Sequence, residues 1–539
     1  MNKAKAKIGL FSAIFLGVTS ILGSGWLFAP FRSAAVAGPA ALFSWLIGAA
    51  LVILLSYCLA EIASVFPKRG LTAIIPTLSH NKFFGFPFAI ANWLGIVAVI
   101  GLEADATVQY LMNLTPSLKS SLFENGQLTL LGNSFSVGLV IFYCMVNFWG
   151  AKLLTKTSNI LTIVKIVVPI VSALIIISFA FHPHNFTAVH QTIMPFGFKS
   201  ILLAIVTSGI IVAFNGFQTV VSFASEIKDP HKTIPRALLW GILMCLVVYL
   251  LLQVAFVGAV PEDLVAKGWQ SLAMNAPMVQ LSLMLGLSSL ASIIYFGATI
   301  APTGAAIAFT GSATRMFTAM SHREQMPKYF GNINVQYNVS RRSLLMNTIL
   351  SVIFVLLFRS WSQLAQVLSM FHLIAYIPIP IALVVFRKRI ARSRYSFYLP
   401  FGTLIALVLF SVFTYLITLI ESTILIELSI FFALSFSAFL ILNFRSLEGI
   451  LHAFRKSYSV ILYIAGLVFL SVLSPTNNSH IQNIHYIPIF VIFTIGAFYL
   501  MTRLDSGSKM PLKDGFGKPL RVLRSSSVAN IQTSRRGEA

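Results

Sequence analysis

Continuous apolar runs constrain this chain more than any other feature. Crossing the hydrocarbon core of a bilayer takes about 20 consecutive apolar residues. Runs of that kind recur near 8–36, 40–65, 84–112, 131–150, 157–181, 199–225, 237–260, 281–312, 343–358, 363–386, 398–420, 422–443, 459–474 and 486–502. They predict about 14 transmembrane helices, with 343–358 and 459–474 the shortest. Strands of a membrane β-barrel would alternate polar and apolar residues, and these runs do not. Composition agrees: 57% of the chain is hydrophobic and 10% is charged, against about 25% charged in soluble domains. Soluble globular, disordered and disulfide-scaffold classes are excluded. Cys58, Cys144 and Cys245 all lie in apolar runs, so neither a disulfide frame nor a zinc site is expected. The fold class is an all-α polytopic membrane protein.

The formal net charge is +23. A basic excess of that size is also the footprint of nucleic-acid binders, but its distribution argues otherwise. With the amino terminus inside, 32 of the 38 Lys and Arg residues fall on the cytoplasmic side. Five (Arg32, Lys119, Lys199, Lys267 and Arg359) fall outside, and Lys165 lies within a span. That asymmetry is the positive-inside signature. It predicts both termini in the cytoplasm and no nucleic-acid partner. The start, MNKAKAKIGLFSAIFLG, is like a signal peptide. Its apolar stretch continues past Gly25 and is too long for an h-region, so cleavage is not expected. Residues 503–539 are polar and basic without apolar periodicity and read as a disordered cytoplasmic tail.

Two spans are interrupted at similar depth. One reads TSILGSGWLFAP, with Gly23-Ser24-Gly25, and the other GIIVAFNGFQTVVSFASE, with Asn215-Gly216. The two spans start on opposite sides of the membrane. Corresponding breaks in oppositely oriented halves point to an inverted-repeat transporter. Unwound backbone survives at membrane depth only where it lines a cavity or is buried in protein. There a half-helix amino end can hold a carboxylate, and freed carbonyls can hold an ammonium or a cation. The alternative is that these glycines simply allow close helix packing.

Four stretches carry a family resemblance. They are GSGWLFAPFRSAAVAGPAALFSWLIGAALVILLSYCLAEIASVFPKRG (23–70), SNILTIVKIVVPIV (158–171), AFNGFQTVVSFASEIKDPHKTIPRAL (213–238) and GSATRMFTAMSHREQMPKYFGNIN (311–334). With them the chain resembles the amino acid–polyamine–organocation (APC) superfamily, and within it the bacterial permeases of the aspartate–proton symporter branch. The resemblance implies a LeuT-type 5+5 inverted-repeat core over 1–390, with repeats at about 8–181 and 199–386 and discontinuous helices 1 and 6. It leaves four additional helices at 391–502 and implies a bacterial cytoplasmic (inner) membrane. It further implies a substrate carboxylate on the amides of Ser24 and Gly25, and a substrate ammonium on the carbonyls of Ile21, Val212 and Asn215. Phe214 and Phe217 flank the second break, as a lid or as core aromatics. Lys165 stands where proton-coupled relatives carry a lysine in place of a bound cation, which makes it the expected proton-coupling group. Asn215 departs from the apolar residue that many relatives have there.

Other polar residues have two readings each. A charge inside a span is costly and commonly functional, yet Lys165 could also snorkel to the interface. Glu103 and Asp105 are two residues apart, so they point to different faces of one helix. They are candidate pocket groups or members of a wet outer vestibule. Glu61 and Glu226 end spans two and six and are expected to pair with basic residues. His372 is a core histidine or a proton relay. His182, His184 and His190 share an outer loop without acidic partners, so no metal site is expected. No HExxH, phosphate-binding loop, serine elbow or paired intramembrane aspartates occur, so no catalytic residue and no cofactor are expected. The expected function is proton-coupled amino acid symport by alternating access, the alternative being an amino acid or polyamine exchanger. The expected partners are an amino acid, protons and the lipid bilayer. The polar residues lean toward neutral or cationic substrates, whereas the resemblance leans toward aspartate.

Overall fold

A computed structural model describes residues 8–68, 70–112, 121–124, 126–149, 152–334, 336–337, 339–444, 446–478 and 482–503. The basic tail from residue 504 onward lies outside the described residues, as do Lys3, Lys5, Lys7 and Lys119. The described chain is helical apart from loops and one two-residue hairpin, Phe123–Glu124 with Gln127–Leu128.

The first expected span is two helices, α1 (Leu10–Ile21) and α2 (Gly25–Ala37), separated by Leu22, Gly23 and Ser24. Next come α3 (Ala41–Val65), the short α4 (Leu71–Ser79) and α5 (Lys82–Leu111). The side chain of Asn81 starts α5 by accepting the amides of Phe83 and Phe84, which satisfies donors that have no partner within the helix. Helices α6 (Leu130–Phe148) and α7 (Lys152–Phe179) follow. The sixth expected span is three pieces: α8 (Gly197–Thr207), α9 (Ile210–Ala213) and α10 (Gln218–Ser222). Then come α11 (Pro230–Ala259), α12 (Ser288–His322) and α13 (Arg341–Leu357). The tenth expected span is α14 (Trp361–Tyr376) and α15 (Pro378–Arg389), divided where Pro378 and Pro380 remove helix donors. The C-terminal helices are α16 (Gly402–Thr418), α17 (Ser422–Asn443), α18 (Leu447–Leu473) and α19 (Asn483–Thr502).

Among the described residues, 10 helical stretches are long and apolar enough to cross a membrane, and α1, α8 and α16 are shorter apolar helices. The chain is thus a multi-pass helical membrane protein. Helix α5 runs through the centre, packed by α4, α6, α12, α13, α14 and α18. Helix α11 holds α1, α3 and α7 together. The four C-terminal helices attach through α16 on α15 and α18 on α5. Their outer faces carry exposed apolar side chains such as Leu434, Ile441 and Ile492, as a lipid-facing surface requires.

Three sequence boundaries are corrected. The eighth span was expected at 281–312, but α12 runs from Ser288 to His322, so the first half of the 311–334 motif is helix and not loop. Thr310, Thr314 and Thr318 each donate to a carbonyl four residues back. This local bonding hides their polarity and lets the helix continue past the apolar run. The expected 459–474 span is the end of a longer helix that begins at a Ser446 cap. The sixth span breaks twice, at Ser208-Gly209 and at Phe214–Phe217, where the sequence reading expected one break.

Candidate functional site

The site is built from two interrupted helices that cross. At the first interruption the amide of Gly23 donates to Ile21 O at 2.9 Å and the helical ladder stops. At the second, Gly216 has φ +108°, a backbone region that side chains disfavour. Each break is pressed against the other. A Cβ on Gly25 would sit 2.8 Å from the Cβ of Ala213, and one on Gly216 would run into the carbonyl of Ser20. Gly25 and Gly216 therefore serve close packing, while Gly23 serves something else: a Cβ there would collide with the carboxylate of Glu103.

That carboxylate reaches in from α5. Glu103 Oε2 accepts the Ser24 amide at 2.7 Å, at the amino end of α2, where the helix dipole favours an anion. Ser24 Oγ accepts the indole N–H of Trp361 on α14 at 2.8 Å. The Trp361 ring stacks on Phe28 at 4.7 Å, and it fits because Gly209 has no Cβ, which would come within 2.6 Å of the ring. Tyr249 on α11 ties the two breaks together: its hydroxyl lies 2.8 Å from Ala213 O and 3.2 Å from Ile21 O. Tyr110 donates to Leu27 O at 2.8 Å.

The remaining expected site residues divide as follows. Val212 O accepts the Asn215 amide at 2.9 Å. Asn215 Oδ1 accepts from Gln218, and Asn215 Nδ2 is buried with no hydrogen-bond partner among the described residues. Phe214 is fully buried against Trp45 and Tyr249, and Phe217 lies against Tyr376. Both are walls of the packed core in this state. Lys165 does not snorkel. Its ammonium is 1% exposed and donates to Thr19 O on α1 at 2.8 Å, and Gly304 on α12 leaves room for it.

Glu103 and Asp105 do point to different faces. Asp105 lies by Ser136 of α6, and neither carboxylate oxygen has a hydrogen-bond partner among the described residues. Both acids are buried in this structure. His372 donates Nδ1–H to Leu368 O at 2.8 Å, because a carbonyl can only accept; its Nε2 is buried without a partner.

Near the ends of α3 and α15, Glu61 forms a two-pronged pair with Arg387 at 2.7 and 2.6 Å and accepts the Leu399 amide. Lys82 pairs with Glu324 at 2.8 Å and holds that exposed carboxyl below its usual range. His182, in the loop after α7, meets Glu262 at 3.4 Å. No group of three metal-ligating side chains occurs among the described residues, and the three cysteines are buried and free.

Sequence reasoning missed how central Glu103 is, and missed Trp361 and Tyr249 altogether. The one available signal was the cost of a carboxylate inside a span.

Two broken helices pressed against each other, with polar backbone turned into a buried centre, are the arrangement of a membrane transporter. The chain belongs to the amino acid permease family, whose model matches residues 8–425. It is 38% identical over 391 residues to the glutamate/serine transporter AimA of Bacillus subtilis (strain 168), covering 72% of each chain. It is 30% identical over 394 residues to the aspartate-proton symporter of the same organism, covering 73% of this chain and 75% of the relative. A serine/threonine exchanger, SteT, also of that organism, is 25% identical over 405 residues, covering 74% of this chain and 85% of the relative.

Proposed function

We propose that this permease is a secondary active importer that carries an amino acid together with a proton across the cytoplasmic membrane by alternating access. The reading sets its Lys- and Arg-rich loops, its amino-terminal segment and its tail in the cytoplasm, with fourteen helices crossing and a 5+5 inverted-repeat core over 1–390. The substrate carboxylate binds at the amino end of α2, on the amides of Ser24 and Gly25. The substrate ammonium binds the second lone pair of Val212 O together with Asn215 O, and takes the place of the Tyr249 hydroxyl on Ile21 O, while Tyr249 keeps its shorter bond to Ala213 O. The Asn215 side chain faces the substrate as a free amide donor, and Phe214 forms one wall.

The observation that carries this reading is the Ser24–Glu103 bond: this backbone amide already holds a carboxylate at 2.7 Å. Lys165 is the coupling group in the reading. Charged, its ammonium bonds Thr19 O and fixes α1 beside the break; neutral, it loses that charge-assisted bond and α1 is released.

Small polar amino acids fit best. The similar relatives are named for glutamate and serine and for aspartate. A buried Glu103 repels an acidic side chain while it is charged, so L-serine heads the panel and L-glutamate and L-aspartate follow. The test is uptake of that panel into proteoliposomes under an imposed pH gradient. Exchange is the second reading, favoured by the similarity to a serine/threonine exchanger. Uptake that ignores the pH gradient but follows trans amino acid would select it.

A further inference from the structure

We infer that the Glu103 side chain is a tethered stand-in for the substrate carboxylate, filling the anion subsite of the empty carrier and leaving it when an amino acid binds. The inference rests on the amino acid reading of the two breaks and adds to it a residue from α5. Three observations meet at this point. Glu103 Oε2 is on the Ser24 amide at 2.7 Å. Gly23, beside it, is a glycine whose missing Cβ is the space the Glu103 carboxylate takes. Ser24 Oγ is held by Trp361, so the amide is presented to Glu103 by an anchored residue. Together they make a carboxylate cradle, and a side chain of this same chain is in it.

Two carboxylates cannot share one amide. In a site shut off from water, their repulsion is far stronger than in solution. An arriving amino acid must therefore displace Glu103, and a proton on Glu103 makes that displacement easy. Protonation removes the charge that makes its bond to Ser24 strong and removes the repulsion toward the newcomer. The proton on Glu103 thus frees the anion subsite for the amino acid, while the release of α1 remains with Lys165. The titratable groups set around Glu103 are Lys165 from α7, the one cation, and the neutral phenols Tyr143 from α6 and Tyr249 from α11; Asp105 lies two residues along α5 on another face. Lys165 donates to Thr19 O of α1 and not to Glu103.

The experiment measures L-serine and L-glutamate binding to the purified full-length protein across the neutral and alkaline range, for the wild type, Glu103→Gln and Glu103→Ala, with a melting curve for each. In the wild type, affinity falls by about tenfold per pH unit once Glu103 is charged, the slope of one linked proton. In Glu103→Gln, which keeps the volume without the charge, affinity is flat with pH and equals the acid-limit value of the wild type. In Glu103→Ala, with no occupant, it is also flat and at least as tight. Folded variants that keep the wild-type slope would overturn the proposal and assign the proton to Lys165. Folded variants that lose binding altogether would also overturn it, because Glu103 would then be a direct contact to substrate. A wild type that binds neither amino acid would instead refute the amino acid reading itself.

Discussion

Replacing Gly25 by alanine tests the crossing of the two breaks with a single methyl group. The added carbon would lie 2.8 Å from Ala213 Cβ and 3.1 Å from Ala213 Cα. Nonbonded carbons sit best at about 3.5–4.0 Å, so α2 must retreat by roughly 0.7 Å or more. Tyr249 ties Ala213 to Ile21, four residues before Gly25, at 2.8 Å to Ala213 O and 3.2 Å to Ile21 O, and a retreat that carries the Leu22–Ser24 break and the end of α1 with α2 lengthens the weaker bond beyond hydrogen-bonding range. Overpacking costs about 1–3 kcal/mol and the lost bond about 1 kcal/mol. The total, about 2–4 kcal/mol, is divided between folding and binding, and a tenfold change in affinity takes only about 1.4 kcal/mol. Gly25→Ala should therefore bind L-serine at least about tenfold more weakly, with a lowered melting temperature. The double variant Gly25→Ala/Ala213→Gly deletes the offending partner atom and should recover most of both losses, so the two sites are coupled in a double-mutant cycle. Wild-type binding in Gly25→Ala would refute the reasoning, and so would a defect that Ala213→Gly does not relieve.

Other outcomes follow from the same geometry. Lys165→Ala removes the ammonium from Thr19 O; uptake driven by a pH gradient should vanish while counterflow of labelled amino acid survives, and normal concentrative uptake would contradict the coupling role. Trp361→Phe leaves Ser24 Oγ without its donor, which should cost about 1 kcal/mol and weaken L-serine binding by about fivefold in a titration. Arg387→Ala strands the buried carboxylate of Glu61, and breaking a buried pair in this way costs about 3–5 kcal/mol. The melting temperature should fall sharply, and Glu61→Gln combined with Arg387→Ala should recover part of the loss.

Much of this architecture can be read from sequence because the bilayer imposes it. Each apolar run overlaps helix among the described residues, where 10 helical stretches are long and apolar enough to cross a membrane. Glycines at 23, 25 and 216 mark the breaks because Gly23-Ser24-Gly25 and Asn215-Gly216 interrupt two apolar runs at similar depth. Ser208-Gly209 was not legible, since small residues are ordinary in membrane helices; its role emerges only when the ring of Trp361, over 150 residues away in sequence, is seen against it. Hydropathy reports where lipid ends and not where a helix ends, so α12 continues through Arg315 to His322 unannounced. The same applies to α18, whose first turns carry Arg455 and Lys456. The i, i+2 spacing of Glu103 and Asp105 correctly separated their faces. It could not say which face meets Ser24, because that depends on how α5 packs against α1 and α2. Lys165 was legible as a buried charge, whereas its partner is a backbone carbonyl, which no sequence pattern marks.

The central claim is that the crossed breaks bind an amino acid and couple its entry to a proton. Proteoliposomes holding the full-length protein test it most directly, with labelled L-serine, L-glutamate and L-aspartate supplied outside at acidic pH and the interior buffered alkaline. The account predicts that at least one of the three accumulates above its outside concentration, and that collapsing the pH gradient with a protonophore abolishes the accumulation. Uptake that is unchanged by the protonophore and requires amino acid on the inside would contradict it.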